Sequence, residues 1–183
     1  MLKMINAPTT EPVTLTELKL SLRIDDTALD SELAAALSAA RGEAEHFTAR
    51  SLAPQRWRLS RDDFWIGGLR LPRGPVDGVV QVEFLNPDGD WQTIAASNYS
   101  LRDDILHFDL EFQFPDFLKS DNVIRVTYDT GTWDPPVPFE IQTAVKMLAQ
   151  SKVDALQDQP AGLRERAFAL LRPFRFDSGF RAA

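Results

Sequence analysis

Apolar residues recur every three or four positions at the two ends of the chain and every second position in its middle. Such a change of period marks helix, then strand, then helix. Near the start, Pro12 and Val13 lead into Thr14-Leu15-Thr16-Glu17, and Leu15, Leu18 and Leu22 lie at helical spacing. Thr14 can cap the helix while Glu17 reaches back to it, the reciprocal capping-box arrangement. Asp25-Asp26-Thr27 ends this helix after about two turns. A longer helix is predicted from the 26–30 region towards Ser51, stopping before Pro54. Its stripe is Leu29, Leu33, Ala36, Leu37, Ala40, Ala44 and Phe47. Asp30 and Glu32 lie in its first turn, where they favour the helix dipole.

The middle alternates. Arg56-Trp57-Arg58-Leu59-Ser60 is a candidate strand, and Gly67-Gly68 and Pro72-Arg73-Gly74-Pro75 punctuate the residues after it. Gly67-Gly68 reads as a loop. Val80, Val82 and Phe84 share one strand face, and the turn Asn86-Pro87-Asp88-Gly89 makes residues 79–94 a hairpin. Residues 99–102 and 105–108 pair across Asp103-Asp104. Residues 122–128, rich in β-branched side chains, form the clearest strand. After Gly131 and Pro135-Pro136, Pro138 opens a helix carrying Ile141, Ala144, Val145, Leu148, Ala149, Val153 and Leu156. Pro160-Ala161-Gly162 breaks it, 163–171 forms a fourth helix, and Arg172-Pro173 ends that.

The expected fold class is α+β. Two N-terminal and two C-terminal helices form a small helical domain into which an antiparallel β region is inserted. The expected division is 1–53, 54–134, 135–172 and a tail at 173–183, all in one structural unit.

Composition narrows function more than fold. The chain has 183 residues, no cysteine and two histidines, His46 and His107. It therefore has no disulfide framework and no thiol nucleophile, and it offers few ligands for a Cys/His zinc site. No apolar run approaches the ~20 residues that span a bilayer. The opening MLKMINAPTTEP lacks the apolar core of a signal peptide, so a cytoplasmic protein is expected. Residues 1–50 hold 5 basic and 8 acidic side chains, 51–134 hold 8 and 14, and 135–183 hold 7 and 5. The local net charges are thus −3, −6 and +2, summing to −7. An acidic body does not attract phosphate backbones broadly.

The adjacent carboxylates Asp25-Asp26, Asp62-Asp63 and Asp103-Asp104 suit turns and caps better than catalysis, because strand neighbours point to opposite faces. His46 and His107 sit in no recognisable nucleophile context, and no phosphate-loop, zincin or nucleophile-elbow motif occurs. Neither an enzyme nor a cofactor is expected. The last segment interleaves Arg172, Phe174, Arg175, Phe176, Phe180 and Arg181. It reads as a terminus that orders on a protein partner, as a flexible end, or as a small nucleic-acid-binding module. The Ala-rich long helix, the terminal aromatics and Phe112, Phe114 and Phe117 suggest either a sticky surface or filling between helical and β parts.

The same residues resemble a known family. Pro12-Val13-Thr14-Leu15-Thr16-Glu17-Leu18-Lys19 with Leu22-Arg23-Ile24-Asp25 resembles the opening "P-V-[ST]-L-x-E-x-K-x-x-L-R-[IV]-D" of phage head-tail connector proteins. Residues 30–40 fit "D-x-x-L-x-x-x-[IL]-x-A-A". Residues 44–52 fit "A-E-x-[FY]-T-G-R-x-L", with Ala49 in place of the glycine. Gln55-Arg56-Trp57, residues 71–76, residues 126–131 and Pro136-Val137-Pro138 fall in the expected order. The resemblance runs to about residue 172. It implies a non-enzymatic adaptor in the virion neck of a tailed phage or gene transfer agent, assembled from the host cytoplasm.

Such a protein forms a homo-oligomeric ring, usually twelvefold, below the portal protein. The ring extends the channel for double-stranded DNA, which passes without specific binding, and gives a platform for a stopper or tail-terminator protein. No membrane is involved. In that frame Leu33, Ala36, Leu37, Ala40 and Ala44 are the expected ring interface, since small side chains let helices approach. Arg172, Phe174, Arg175, Phe176, Phe180 and Arg181 are the expected portal contacts, and removal of 173–183 is expected to leave the fold intact.

Overall fold

The structure is a computed structural model and describes residues 1–153 and 162–176. The predicted helix position Leu156, the predicted break at Pro160-Ala161 and the tail residues Phe180 and Arg181 lie outside the described residues. The fold is α+β, with the β region inserted between helices. The chain divides into two compact units: Met1–Thr9 with Pro54–Thr132, and Thr10–Ala53 with Trp133–Ala183.

The helical unit contains α1 (Leu15–Leu22), α2 (Asp30–Thr48), α3 (Phe139–Gln150) and α4 (Leu163–Leu171). The capping box forms as its residues dictate. The Glu17 N–H donates to Thr14 Oγ1 at 3.2 Å, and the Thr14 N–H donates to Glu17 Oε2 at 2.7 Å. These bonds satisfy two of the orphan donors of the first turn. The Thr14 N–H and the Thr14 hydroxyl, both donating to Glu17 Oε2 at 2.7 Å, also hold the Glu17 carboxyl below its ordinary value. α1 closes on Arg23 in the left-handed region, and Lys19 bonds Asp30 at the start of α2 at 2.6 Å. Leu18 turns inward and is fully buried, a gain of about 2 kcal/mol over leaving it exposed.

α2 and α3 meet through small residues. Ala40, Ala44, Ala144, Val145 and Ala149 are all fully buried in one cluster with Leu33, Leu148 and Leu171. Alanine lets two helix backbones approach closely and still loses no rotamer entropy. Pro138 takes the N-cap position of α3, as its fixed φ suits. α3 ends at Gln150, earlier than the apolar pattern suggests, and Val153 beyond it still buries.

The sheet unit holds β1 (Leu2–Asn6), β2 (Gln55–Arg61), β3 (Gly68–Arg70), β4 (Val76–Leu85), β5 (Trp91–Ile94), β6 (Tyr99–Arg102), β7 (Ile105–Phe108) and β8 (Ile124–Thr130). All pairings are antiparallel. One sheet has the order β1-β2-β8-β4-β5 and the other β3-β7-β6. β8 occupies the centre of the larger sheet and buries Ile124, Val126, Thr127, Tyr128 and Thr130. That is the place its β-branched composition fits. The core of this unit joins Trp57, Trp65, Leu69, Leu71, Val82, Leu106 and Tyr128. The buried Tyr128 hydroxyl donates to the Pro72 carbonyl at 3.0 Å.

Three expectations change. Residues 1–9 go with the sheet, not with an N-terminal helical half spanning 1–53. Leu2, opposite Leu59, is the one β1 side chain that packs on the sheet core, so little announces the strand. Gly67-Gly68 is not wholly a loop: Gly68 begins β3, and a Cβ there would meet the His107 and Ile105 side chains of β7. Phe112 and Phe117 join the core of the sheet unit.

The single departure from the connector pattern falls on a strained position. Ala49 succeeds α2 with φ 54°, in the left-handed region. Glycine adopts that conformation without the Cβ clash that costs other residues about 1–2 kcal/mol. Ala49→Gly is therefore expected to stabilise the protein by about 1 kcal/mol, read as a higher urea midpoint with unchanged slope. A lower midpoint would show that the helix end is not under this strain.

Candidate assembly surfaces

The expected ring-interface residues are not a surface. Leu33, Ala36, Leu37, Ala40 and Ala44 are 0–6% exposed and form the helical unit's own core. An apolar stripe states that a helix has a partner, not whether the partner belongs to the same chain. Here α3 takes the place assigned to a neighbouring copy. These five residues are corrected from interface to core.

Beside that stripe, α2 carries a charged network that the apolar pattern does not reveal. Arg41 donates to Glu11 at 2.8 Å, to Glu45 at 2.9 Å and to Ser38 at 3.3 Å. The other oxygen of Glu45 accepts the Leu52 N–H at 2.8 Å. Arg41 and Glu45 are 9% and 6% exposed. Two charges so deeply buried persist because each is held by several hydrogen bonds. The signal in the sequence is the i,i+4 spacing of Arg41 and Glu45.

Glu43, on another side of α2, receives Lys152 from beyond α3 and Arg164 from α4, the latter at 2.7 Å. Burial raises the energy of its charged form, but the hydrogen bonds and charges of Lys152 and Arg164 outweigh this. The carboxyl is held below its ordinary 4.5.

The described part of the tail is docked. Phe174 packs against the helical core, and its carbonyl accepts Arg50 Nε at 2.8 Å. The Phe176 N–H donates to the Thr48 carbonyl at 2.7 Å, and the Arg50 guanidinium lies 5.4 Å from the Phe176 ring centre. Arg175 lies 5.8 Å from the Phe47 ring centre. Arg172 and Arg175 are exposed. Residues 173–176 thus belong to the fold, against the expectation that 173–183 is dispensable for it.

In the sheet unit the paired aspartates make local structure. Asp103 and Asp104 both have positive φ, 49° and 63°, and form the two-residue turn between β6 and β7. Asp104 Oδ1 accepts the Val76 N–H at 2.7 Å, and a Cβ at Gly74 would strike its carboxylate. Asp62 Oδ1 accepts the Asn122 N–H at 2.7 Å, and Asp26 Oδ1 in the helical unit accepts the Ala28 N–H at 2.9 Å. Asp77 holds the Thr132 N–H with both oxygens. Burial, joined by the charges of Asp129 and Asp104, pushes its carboxyl up despite those bonds.

His46 is exposed on α2, and His107 lines an open groove of about 840 Å³ with Ser100, Arg102, Asp109 and Glu111. Among the described residues no group of three or more His, Asp or Glu side chains is placed to hold a metal ion. Also among them, no helix is long and apolar enough to cross a membrane.

Of the aromatics expected to be sticky, Phe114 is exposed at 40%, and other exposed apolar side chains lie elsewhere. Leu20 and Phe139 stand out from the helical unit at 71% and 70%. Met1, Met4 and Ile5 along β1 and Ile66 and Leu110 in the loops stand out from the sheet unit. The sequence does not single them out, since an isolated apolar residue carries no period.

The chain has the fold of gene transfer agent neck chains. A chain in the virion of a native gene transfer agent particle superposes with a TM-score of 0.78 at 23% identity, covering 97% of this chain and 96% of that one. A chain from the neck of an empty particle, computed with C6 symmetry, gives 0.74 at 24% identity with the same coverage. One from the neck of a native particle, computed with C12 symmetry, gives 0.70 at 23%. No protein-family model matches the chain, and no curated protein matches it at a significant level.

The Glu43 cluster yields a pH prediction. A carboxyl depressed on folding stabilises fully above its unfolded value and loses that contribution as pH falls through its folded value. Glu43→Gln is expected to remove part of the stability loss that wild type shows as pH drops below about 4.5. Urea midpoints at a series of acidic pH values check this, and parallel wild-type and variant curves would contradict it.

Proposed function

We propose that this chain is a head-tail connector, an adaptor that forms a homo-oligomeric ring in the virion neck below the portal. The observation that carries this is the fold match over nearly the whole of both chains with chains in the virion and neck structures of gene transfer agent particles. The ring extends the DNA channel and offers a platform to a stopper or tail-terminator protein, twelve copies being the expected number. The protein joins the neck from the host cytoplasm.

The charge distribution is compatible with that work. A ring that DNA slides through gains nothing from gripping phosphate, and a chain of net −7 repels the duplex at short range. The basic segment 135–183, net +2, is suited to a neighbouring acidic surface. Exposed Arg172 and Arg175, with Phe180 and Arg181 later in the sequence, make the end of the chain the proposed portal contact. Phe174 and Phe176 act from the other side, anchoring that end to α2 and the residues just after it.

Electron microscopy or native mass spectrometry with the portal present is expected to show closed rings or portal-bound copies. A persistent monomer that never binds portal would count against the proposal. Two truncations separate anchor from contact. Deleting 177–183 is expected to leave the melting temperature unchanged and to weaken portal binding about tenfold or more. Deleting 173–183 is expected to lower stability as well, by about 1–3 kcal/mol, because the Phe174 packing and the hydrogen bonds to Arg50 and Thr48 go with it. If deletion of 177–183 instead removes salt-dependent DNA binding and spares portal binding, the tail is a nucleic-acid module.

A further inference from the structure

We infer that two loops at one end of the smaller sheet form an apolar, acidic prong that docks on a basic outer strip of α4 in a second copy. The inference deepens the ring reading and rests on it for the closure of these contacts into a ring.

The prong is built on the β3–β7 pair. Gly68 opposite His107 is the last pair at the end away from the Asp103-Asp104 turn. Just beyond it one loop carries Ile66 and the other Leu110. At 98% and 105% they are the most exposed large apolar side chains among the described residues. One ring holds both loops. The Trp65 ring, next to Ile66, lies 4.7 Å from that of Phe108, and Phe112, two positions after Leu110, stacks on Phe108 at 5.1 Å. The Trp65 indole N–H donates to the Leu106 carbonyl at 3.4 Å. The Phe112 N–H closes the turn around Leu110 on the Asp109 carbonyl at 3.0 Å. A single exposed apolar residue is ordinary, but two presented together mark an interaction site. On so firmly held a base they bind with little ordering cost.

Charge selects what the prong meets. Asp109 and Glu111 flank Leu110, Asp63 lies three positions before Ile66, and all three are exposed. Residues 62–69 and 103–118 contain no Lys or Arg. The side chains of Asp109 and Glu111 have no ion pair or hydrogen bond among the described residues. A phosphate backbone or an anionic membrane repels such a tip. Its complement is an apolar surface bearing basic residues.

The helical unit carries that complement. α4 buries Leu163, Ala167 and Leu171. It turns a second strip outward, in which Ala169, Leu170 and Pro173 follow Arg166 by three, four and seven positions. Pro173 lies in the 3-10 turn that continues the helix. Arg166, Ala169 and Pro173 are exposed and Leu170 is half-buried. The Arg166 side chain has no ion pair or hydrogen bond among the described residues. Glu165 is the one acidic residue of α4, and Arg164 is held by Glu43. The prong thus offers two apolar side chains and two carboxylates, and the strip an apolar floor and an unpaired cation. Because the two surfaces differ, a contact between them runs head to tail and leaves each copy one surface for each neighbour. Arg172 and Arg175, the proposed portal contacts, take no part in it.

Charge exchange tests this on the full-length chain, by native mass spectrometry alone and with the portal present. Asp109→Lys with Glu111→Lys makes the prong basic, and Arg166→Glu with Ala169→Glu makes the strip acidic. Each pair of changes alone is expected to weaken association between copies about tenfold or more, and a chain carrying both pairs to regain it. Ile66→Ser with Leu110→Ser is expected to weaken it as much without any change of charge. All six positions are exposed, and recovery in the combined chain shows that neither pair misfolds the protein. Closed rings that form normally from either single exchange overturn the contact and leave the ring reading standing. A combined chain that stays dissociated also overturns it. Rings that form normally but no longer join tails would assign the prong to another neck protein and overturn the contact between copies. Copies that associate through prong and strip but never enter a neck would keep the contact and remove the ring reading. A wild type that never associates, alone or on the portal, removes both.

Discussion

The helical unit exists because α2 and α3 pack face to face across a long interruption in the chain. α2 ends at Thr48 and α3 starts at Phe139, so positions 49–138 must leave and return before the pair can form. Closing so long a loop has an entropic cost that grows only slowly with its length. The contact offsets that cost with fully buried Ala40, Ala44, Ala144, Val145, Leu148 and Ala149. The other features of the unit depend on it. Glu43 reaches Lys152 and Arg164 only because α3 and α4 are held beside α2. Phe174 and Phe176 find Arg50 and Thr48 because α4 ends next to the end of α2.

The sheet unit obeys a different rule. Its order is set by β8, whose buried positions demand strands on both sides. The paired aspartates are part of this scaffold. Asp104 holds a two-residue turn to β4, and Asp62 fixes the approach to β8. Adjacent carboxylates in a sequence often invite a catalytic reading. Here their oxygens accept from backbone N–H groups, which is what short acidic side chains do best in turns.

Much of the fold is legible in the sequence because its signals are local. Thr14 and Glu17 are three residues apart and specify their own geometry. The pattern around Asn86-Pro87-Asp88-Gly89 specifies a hairpin, and 163–171 specifies a helix. β1 is not legible: five residues with one inward side chain cannot be told from an irregular lead-in, and the partner lies more than fifty positions away at β2. What covers each apolar face is legible least. The period of the α2 stripe marks a buried face and does not say that α3, and no second copy, covers it. A sequence encodes that a face must be covered, and only the folded chain shows what is left over. Residues 173–176 escape the pattern for a related reason, since Phe and Arg anchor a tail to its own body as readily as to a partner.

The discontinuous helical unit has a consequence for synthesis. While a ribosome adds the ninety positions between α2 and α3, the stripe of Leu33, Leu37, Ala40 and Ala44 has no cover. At about 5–20 residues per second, that interval lasts some 5–20 s. α2 therefore waits as an amphipathic helix on the nascent chain, while all of the larger sheet except β1 emerges after it. The order of birth places the sheet first and the helical unit last. The helical unit is therefore complete only after α4 and residues 172–176 have been made.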